Sequence, residues 1–395
     1  MKIVIVISKF SPEYSGPGVR MPKLYAYLKS VLPISSLEVV CNGIEQTINE
    51  TYMYEGIKAT RRSASGFAWV KILPTFIRAH VARNIEALQT YFWLRAHARD
   101  ADFVHILGNS GGTVAGIFWA NLKQIPVMME LVTAKAMPWQ RFLFFKVMPH
   151  ENSVLIALTQ KTRQRCIEKG CREKSIWLRP NPIDENIFTP AAEEKYLLRA
   201  GLTPFGRDDI VVTSVAKIMP QKNQILLLKA LCYLPAQFKL VIAGPFVEDG
   251  PLYLRDKEYL EAMQEIIRAN QLEERVLLKI GFVNSADYMR ASDIYALPAW
   301  DEGFGTPMLE AMACGLPVVA NKDETAFREW IVDGQNGFLC SIANPKEWAQ
   351  GIEKSYLFPQ DQRLKQARLI KARAGQIGVY QAYADLIQRL TTKRT

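Results

Sequence analysis

The chain has 395 residues, a formal net charge of +10 and an apolar fraction of 49%, which is length for two or three domains and enough apolar content for packed cores. No apolar run reaches the roughly 18 residues that a membrane-crossing helix needs. The six cysteines (41, 166, 171, 232, 314 and 340) form no Cys-x-x-Cys pair, and the four histidines are too scattered for a metal-ligand cluster, so no metal site is expected. The positive charge asks for an anionic partner, but no zinc finger, RNA-binding aromatic signature or recognition helix accompanies it, and nucleic acid is set aside.

Met1-Lys-Ile-Val-Ile-Val-Ile-Ser8 is too short for a signal peptide and lacks its small-residue cleavage pattern. It predicts a first buried strand over 3–7, and reduced cysteines in a cytoplasmic protein. Gly16-Pro-Gly-Val-Arg20 predicts a Gly-rich loop ahead of a helix over 21–28. Gly18 would let backbone approach a phosphate, and Arg20 would contact phosphate or acceptor. Residues 58–99 carry Lys58, Arg61, Arg62, Lys71, Arg78, Arg83, Arg95 and Arg99 with Glu86 as the only acid, and interleave Trp69, Phe76, Tyr91, Phe92 and Trp93. Ile77, Val81, Ile85, Leu88 and Phe92 make a stripe at helical spacing. Two readings stand: a basic helix lying on an anionic bilayer, or a helix with its apolar side in the core and its basic side in water.

Strands follow over 103–107 with His105 inside, over 127–129 with Glu130 at the end, and over 154–158. Pro180-Asn-Pro-Ile-Asp-Glu-Asn-Ile-Phe-Thr-Pro190 then breaks regular structure. A second set of strands falls over 210–215, 240–243, 276–279, 294–297 and 317–320. This alternation with helical patterns predicts doubly wound α/β sheets. Ala216-Lys-Ile-Met-Pro-Gln-Lys-Asn223 sets Lys217 and Lys222 after one strand, and Gly244-Pro245 and Gly281-Phe-Val283 follow two others. Tyr380, Tyr383, Ile387 and Leu390 mark a last helix.

The most informative stretch is Asp301-Glu-Gly-Phe-Gly-Thr-Pro-Met-Leu-Glu310, which runs on as Ala-Met-Ala-Cys-Gly-Leu-Pro-Val-Val319. Gly303 and Gly305 flank Phe304 in a tight loop. Thr306 is expected as N-cap and Pro307 as first helical residue, with Glu310 in the first turn. Gly315 ends the helix. The open amides and positive dipole end suit a diphosphate, and Glu302 and Glu310 suit sugar hydroxyls.

This stretch resembles the donor signature of family 4 retaining glycosyltransferases, in which two glutamates stand eight positions apart around a Gly-Phe-Gly loop. The resemblance implies the GT-B fold, two Rossmann-like doubly wound domains facing each other across a cleft. The expected limits are 1–190 for an acceptor domain, 191–370 for a nucleotide-sugar domain and 371–395 for a helix crossing back. Asn181, Ile183, Asp184, Phe188 and Pro190 match an element preceding the family's second domain. The implied donor is a UDP- or GDP-linked sugar, with no other cofactor. It would be held by Gly18, Lys217, Lys222, Gly244, Phe282, Glu302, Gly303, Phe304, Gly305, Thr306 and Glu310.

Lys217 stands where the family usually has Arg, and Lys222 matches its usual Lys. With Glu302 they are the expected catalytic groups, the two lysines neutralising the leaving diphosphate. Arg20, His105 and Glu130 are the acceptor-side candidates. Val132 replaces a frequent family His. Asp100-Ala-Asp102 satisfies the Asp-x-Asp metal motif of the GT-A fold but precedes a strand instead of following one, and is rejected. The resemblance predicts metal-independent retaining transfer to a glycan, lipid-linked or small-molecule hydroxyl, in glycan or surface polysaccharide synthesis. If the bilayer reading of residues 58–99 holds, they would dock on the inner face of the cytoplasmic membrane. A non-catalytic nucleotide-sugar-binding homologue and a sugar-nucleotide epimerase remain alternatives.

Overall fold

The computed structural model describes residues 1–12, 16–42, 49–64, 67–130, 153–191, 194–248 and 252–392, without the side chains of residues 16, 68, 71, 75 and 76. The chain divides into two compact units, Met1–Arg179 with Val379–Thr395, and Pro180–Gly378.

The first unit is built on an eight-stranded sheet. Its strands are β1 (Lys2–Ile7), β2 (Ser36–Cys41), β3 (Glu50–Tyr54), β4 (Ile57–Arg61), β5 (Phe103–Leu107), β6 (Val127–Glu130), β7 (Ser153–Ala157) and β8 (Ile176–Leu178), in the spatial order β3-β4-β2-β1-β5-β6-β7-β8. Every pairing is parallel except the β3–β4 hairpin. Parallel strands are covered on both faces, so they read as unbroken apolar runs. β1 shows this, with Ile3 to Ile7 all buried. Ile3, Ile5 and Ile7 face one core with Tyr380, Tyr383, Ile387 and Leu390, while Val4 and Val6 face another with Trp93, Leu94 and Trp119.

The second unit holds β9 (Ile210–Val215), β10 (Phe238–Gly244), β11 (Val276–Ile280), β12 (Ile294–Leu297), β13 (Val318–Asn321) and β14 (Gly337–Cys340), all parallel. Their order, β11-β10-β9-β12-β13-β14, is that of a doubly wound sheet in which the chain leaves its first strand in both directions. The junction between β9 and β12 is therefore the switch point, where loops leave opposite faces and open a crevice at the carboxyl ends of the strands.

Two local expectations change. Gly16-Pro-Gly-Val-Arg20 is the start of a helix, Gly16–Val31, and not a loop. Pro22 inside that helix has no N–H to offer the Gly18 carbonyl, which accepts from Ser11 Oγ instead at 3.2 Å. The stripe on the Thr75–His97 helix does not enter the core. Leu88 and Phe92 are each 59% exposed, and Glu86, Thr90, Trp93 and Leu94 face inward instead. The inward side is fixed by the Gly111–Leu122 helix: a Cβ on Gly111 would sit 1.8 Å from the Arg83 carbonyl oxygen, so the backbones pack without side chains between them. Arg61, grouped above with the basic arm, is buried and paired with Glu50.

A buried ion pair ties the second sheet to the helix that leads into it. Asp293 Oδ2 accepts from the Val211 amide and from Arg199, each at 2.7 Å, and Oδ1 pairs with Lys195. The Arg199 guanidinium also donates to the carbonyls of Ala291, Gly206 and Asp209. Removing the carboxylate strands a buried guanidinium. Asp293→Ala should cost about 3–5 kcal/mol in urea unfolding, and Asp293→Asn clearly less.

Candidate functional site

The second-unit candidates gather at the carboxyl ends of four neighbouring strands. Lys217 and Lys222 follow β9, Gly244 closes β10, Phe282 follows β11, and Glu302 to Thr306 follow β12. The loops after β9 and β12, flanking the switch point, are stitched together. The Trp300 amide donates to the Gln221 carbonyl at 2.9 Å, its indole Nε1 to the Pro220 carbonyl at 3.2 Å, and Lys222 Nζ pairs with Glu302 Oε2. Glu302 Oε1 accepts from the Gly305 amide at 3.3 Å, and Asp301 donates its amide to Glu324 at 2.7 Å.

Gly305 is the residue this loop turns on. Its φ is +81°, and a Cβ there would lie 2.6 Å from the Phe327 ring. It is the N-cap of the Thr306–Ala313 helix, which corrects the expectation that Thr306 caps. A left-handed glycine reverses the chain one residue earlier than a hydroxyl cap would. Thr306 is instead the first helical residue, Pro307 the second, and Thr306 Oγ1 accepts from Asn181 Nδ2 at 3.0 Å. The Asn181 element that precedes the second sheet therefore braces the candidate loop. The earlier start also moves Glu310 out of the first turn.

Glu310 is partly exposed, and no described residue donates a hydrogen bond to it. Burial pushes its carboxyl up to about 7. It is a carboxylate open to a ligand hydroxyl. Phe304 is buried, with its ring edge-on to Trp330 at 6.0 Å between centroids, so only its backbone is available to a ligand. Gly303 is exposed, as is Phe282, at 77%. A Cβ on Gly244 would meet the Ala216 carbonyl oxygen at 2.0 Å, so only glycine lets β10 end against the β9 loop. Lys217 Nζ stands 3.8 Å from the buried Asp256, whose other oxygen accepts from Arg255 at 2.6 and 3.0 Å. Sequence patterns gave no signal for Asp256 or Trp300.

In the first unit Arg20, His105 and Glu130 do come together, but as a closed cluster. Glu130 accepts from Arg179 at 2.7 Å, from Arg20 and from the Tyr383 hydroxyl. His105 is fully buried between the Tyr25 hydroxyl, 2.8 Å from Nδ1, and Glu130 Oε1, 3.3 Å from Nε2. Burial alone would raise the Glu130 carboxyl, but Arg179 and Arg20 outweigh it and hold it well below the usual carboxylate range. Burial lowers His105 and keeps it neutral near pH 7. The expectation that His105 and Glu130 contact an acceptor is corrected: both are enclosed, and Arg20 alone of the three keeps part of its side chain exposed. Gly18 is buried and its carbonyl is engaged by Ser11. Val132 lies outside the described residues. Among the described residues no group of three or more His, Cys, Asp or Glu is arranged to hold a metal, and no helix is long and apolar enough to cross a membrane.

The Glu310 environment predicts a pH signature. Its folded value exceeds the ordinary carboxylate value, so the fold tolerates the neutral acid and is penalised by the ionised form. The penalty is absent below about pH 4.5 and complete above about pH 7. Relative to wild type, Glu310→Gln should gain stability on going from pH 4.5 to pH 8, by at most about 3 kcal/mol, in paired denaturation series.

Residues 203–373 match the family described as glycosyl transferases group 1. A Campylobacter jejuni N-acetylgalactosamine-N,N'-diacetylbacillosaminyl-diphospho-undecaprenol 4-alpha-N-acetylgalactosaminyltransferase is 33% identical over 195 residues, 49% of this chain and 47% of the relative. A Mycobacteroides abscessus D-inositol 3-phosphate glycosyltransferase is 31% identical over 176 residues, 43% of this chain and 36% of the relative. The chain thus spans about half or less of these two curated relatives. Among solved structures, sucrose-phosphate synthase from Thermosynechococcus elongatus superposes with a TM-score of 0.76 at 14% identity, covering 100% of both chains. HepE of Anabaena with UDP gives 0.75 at 19% identity, covering 98% of this chain and 100% of that one. The two Rossmann-like sheets and the superpositions make the fold GT-B, and residues 203–373, under half of the chain, are similar to the glycosyl transferases group 1 family.

Proposed function

We propose that the protein is a retaining, metal-independent glycosyltransferase that moves a sugar from a nucleotide diphosphate to a hydroxyl acceptor. The observation that carries the reading is the Lys222–Glu302 pair on the stitched loops at the switch point, with Glu310, to which no described residue donates, one turn into the adjoining helix. A nucleotide diphosphate suits these groups: phosphate charge for Lys222 and Lys217, whose side chains stay partly exposed, and hydroxyls for Glu310 and Glu302. Crystal structures of HepE with UDP and with UDP-glucose support a UDP-linked donor, with GDP the other base to be tried.

In the proposed reaction the bond from the sugar anomeric carbon to the diphosphate oxygen breaks. The acceptor oxygen bonds to the same face of that carbon, and the acceptor proton passes to the departing phosphate oxygen. Lys217 and Lys222 neutralise charge as it develops there, a term of about 10²–10³ in rate for one donor group. Neutral groups at those positions would leave the diphosphate a poor leaving group.

Differential scanning with UDP, GDP and a panel of their sugars, without added metal, should show a selective rise in melting temperature. Glu310→Ala and Lys222→Ala should abolish it, and Lys222→Ala should cut turnover by about 10²-fold. A cooperative melt that no nucleotide shifts would overturn the reading. Binding without transfer to any acceptor would point to a non-catalytic homologue, and an altered sugar nucleotide formed without acceptor would point to an epimerase.

We also propose that the Thr75–His97 helix docks on an anionic membrane surface on the cytoplasmic side, bringing the enzyme to a lipid-linked acceptor used in surface polysaccharide synthesis. The name of the Campylobacter relative, which includes a diphospho-undecaprenol saccharide, supports an acceptor of that class. On the helix, Leu88 and Phe92 are exposed, and exposed Arg78, Arg83 and Arg95 accompany them. Trp69 and Ile72, the latter 83% exposed, lie on the short helix just before. Exposed apolar side chains among cations fit the headgroup boundary. The protein should co-sediment with phosphatidylglycerol-containing vesicles and not with pure phosphatidylcholine, and the double change Leu88→Ser/Phe92→Ser should release it. Equal recovery with both lipids would rule this docking out.

A further inference from the structure

Lys217 is a compact point charge on a flexible stem, and alone it cannot hold a diphosphate in one orientation. It is not alone. Asp256, buried in the first turn of the Tyr253–Ala269 helix, faces Lys217 Nζ with Oδ2 at 3.8 Å. Its Oδ1 takes both Nε and a terminal nitrogen of Arg255, at 3.0 and 2.6 Å. One carboxylate thus gathers two cations from different elements, the loop after β9 and the helix that follows β10. The group of three carries a net charge of +1 at the carboxyl edge of the sheet. The Lys217 and Arg255 side chains both remain partly exposed, at 31% and 38%, while Asp256 is enclosed. Two cations share this one enclosed carboxylate, and both keep side-chain surface open to solvent at the strand ends, more than either cation on Asp293 or Glu130 does.

We infer that Arg255 is a diphosphate-binding residue of the donor site and that Asp256 is the positioning residue that holds Arg255 and Lys217 as a pair. This rests on the donor-site reading above and adds a contact to it. Arg255 contributes the planar fork that Lys217 lacks: its donors to Asp256 occupy one edge of the guanidinium and leave the other free for a second, anionic partner. Asp256 keeps the two cations from repelling each other apart before a ligand arrives. The pair reads phosphate and not base or sugar, because both members are cations and the acceptor between them is already engaged.

The test is calorimetric binding of UDP, GDP, uridine and guanosine to the full chain, wild type and variant. Arg255→Gln should weaken the diphosphate that binds wild type by about tenfold or more, the loss expected for one charge-assisted hydrogen bond. It should leave the affinity of the matching nucleoside unchanged and flatten the salt dependence of diphosphate binding. Arg255→Lys should recover part of the loss. Asp256→Asn should weaken diphosphate binding as well, again without effect on the nucleoside, which a merely structural role would not produce. Lys222→Ala separates the two levels of the argument. If it abolishes diphosphate binding while Arg255→Gln binds UDP and GDP as wild type does, the donor site stands and the role of Arg255 falls. If wild type binds neither diphosphate, both fall together.

Discussion

A parallel sheet buried on both faces leaves the chain few places to be polar, chiefly the ends of its strands. That constraint organises the second unit. β9, β10, β12 and β13 are apolar along most of their length, so charge collects in the loops beyond them. The doubly wound order then decides which loops meet. β9 and β12 are neighbours in the sheet but far apart in sequence. Their loops leave on opposite sides of the switch point and are drawn back together by Trp300 on Pro220 and Gln221, and by Lys222 on Glu302. A ligand in that crevice would face cations from one side and carboxylates from the other, an arrangement that suits the proposed sugar diphosphate.

The two units use buried charge differently. In the first, Glu130 is saturated: two guanidinium groups, a phenol and an imidazole surround it, and the cluster joins β6, the Gly16–Val31 helix, the end of the first unit and the last helix. Such a cluster depends on its carboxylate, because removing Glu130 leaves two guanidinium groups, one of them fully buried, without their counter-charge. In the second unit no described residue donates a hydrogen bond to Glu310, and burial raises its proton affinity. A largely buried carboxylate without a donor is costly to the fold, a cost that the proposed ligand's hydroxyls would offset.

What the sequence disclosed, and what it hid, follows from the range of the interactions involved. The doubly wound architecture is legible because strands such as β1 and β10 carry unbroken apolar runs, Ile3–Ile7 and Leu240–Ala243, and the loop and helix start at 301–310 are legible because their glycines, proline and glutamates are close in sequence. β3 and β4 passed unseen, since Glu50–Tyr54 and Ile57–Arg61 mix polar and apolar residues as an edge hairpin does. β14 is only four residues and begins with glycine. The N-cap lies one residue earlier than expected because Thr306 and Gly305 both suit the position, and only the left-handed turn at Gly305 decides between them. The partners of Glu130 were invisible for a different reason. Arg179 is 49 positions away and Tyr383 is 253, and no periodicity links residues at such separations.

The helical stripe at 77–92 shows where periodicity misleads even when the helix is placed correctly. Spacing says which residues share a face and is silent on what that face meets. Here the inward side was claimed by Glu86, Thr90, Trp93 and Leu94, because the close approach at Gly111 and Gly112 demands small or polar neighbours at one end and admits a tryptophan at the other. The more apolar stripe was left outside. Burial is therefore decided by the fit of the partner helix and not by hydrophobicity alone, and an apolar face that loses that competition stays exposed beside the arginines of the same helix. The same competition explains why Glu86, an acid on the inward side, carries a carboxyl pushed up by burial to about 7 while it accepts from the Gly111 amide. The helix gives up an exposed acid that would have weakened its positive face, and gains a hydrogen bond at the start of the Gly111–Leu122 helix.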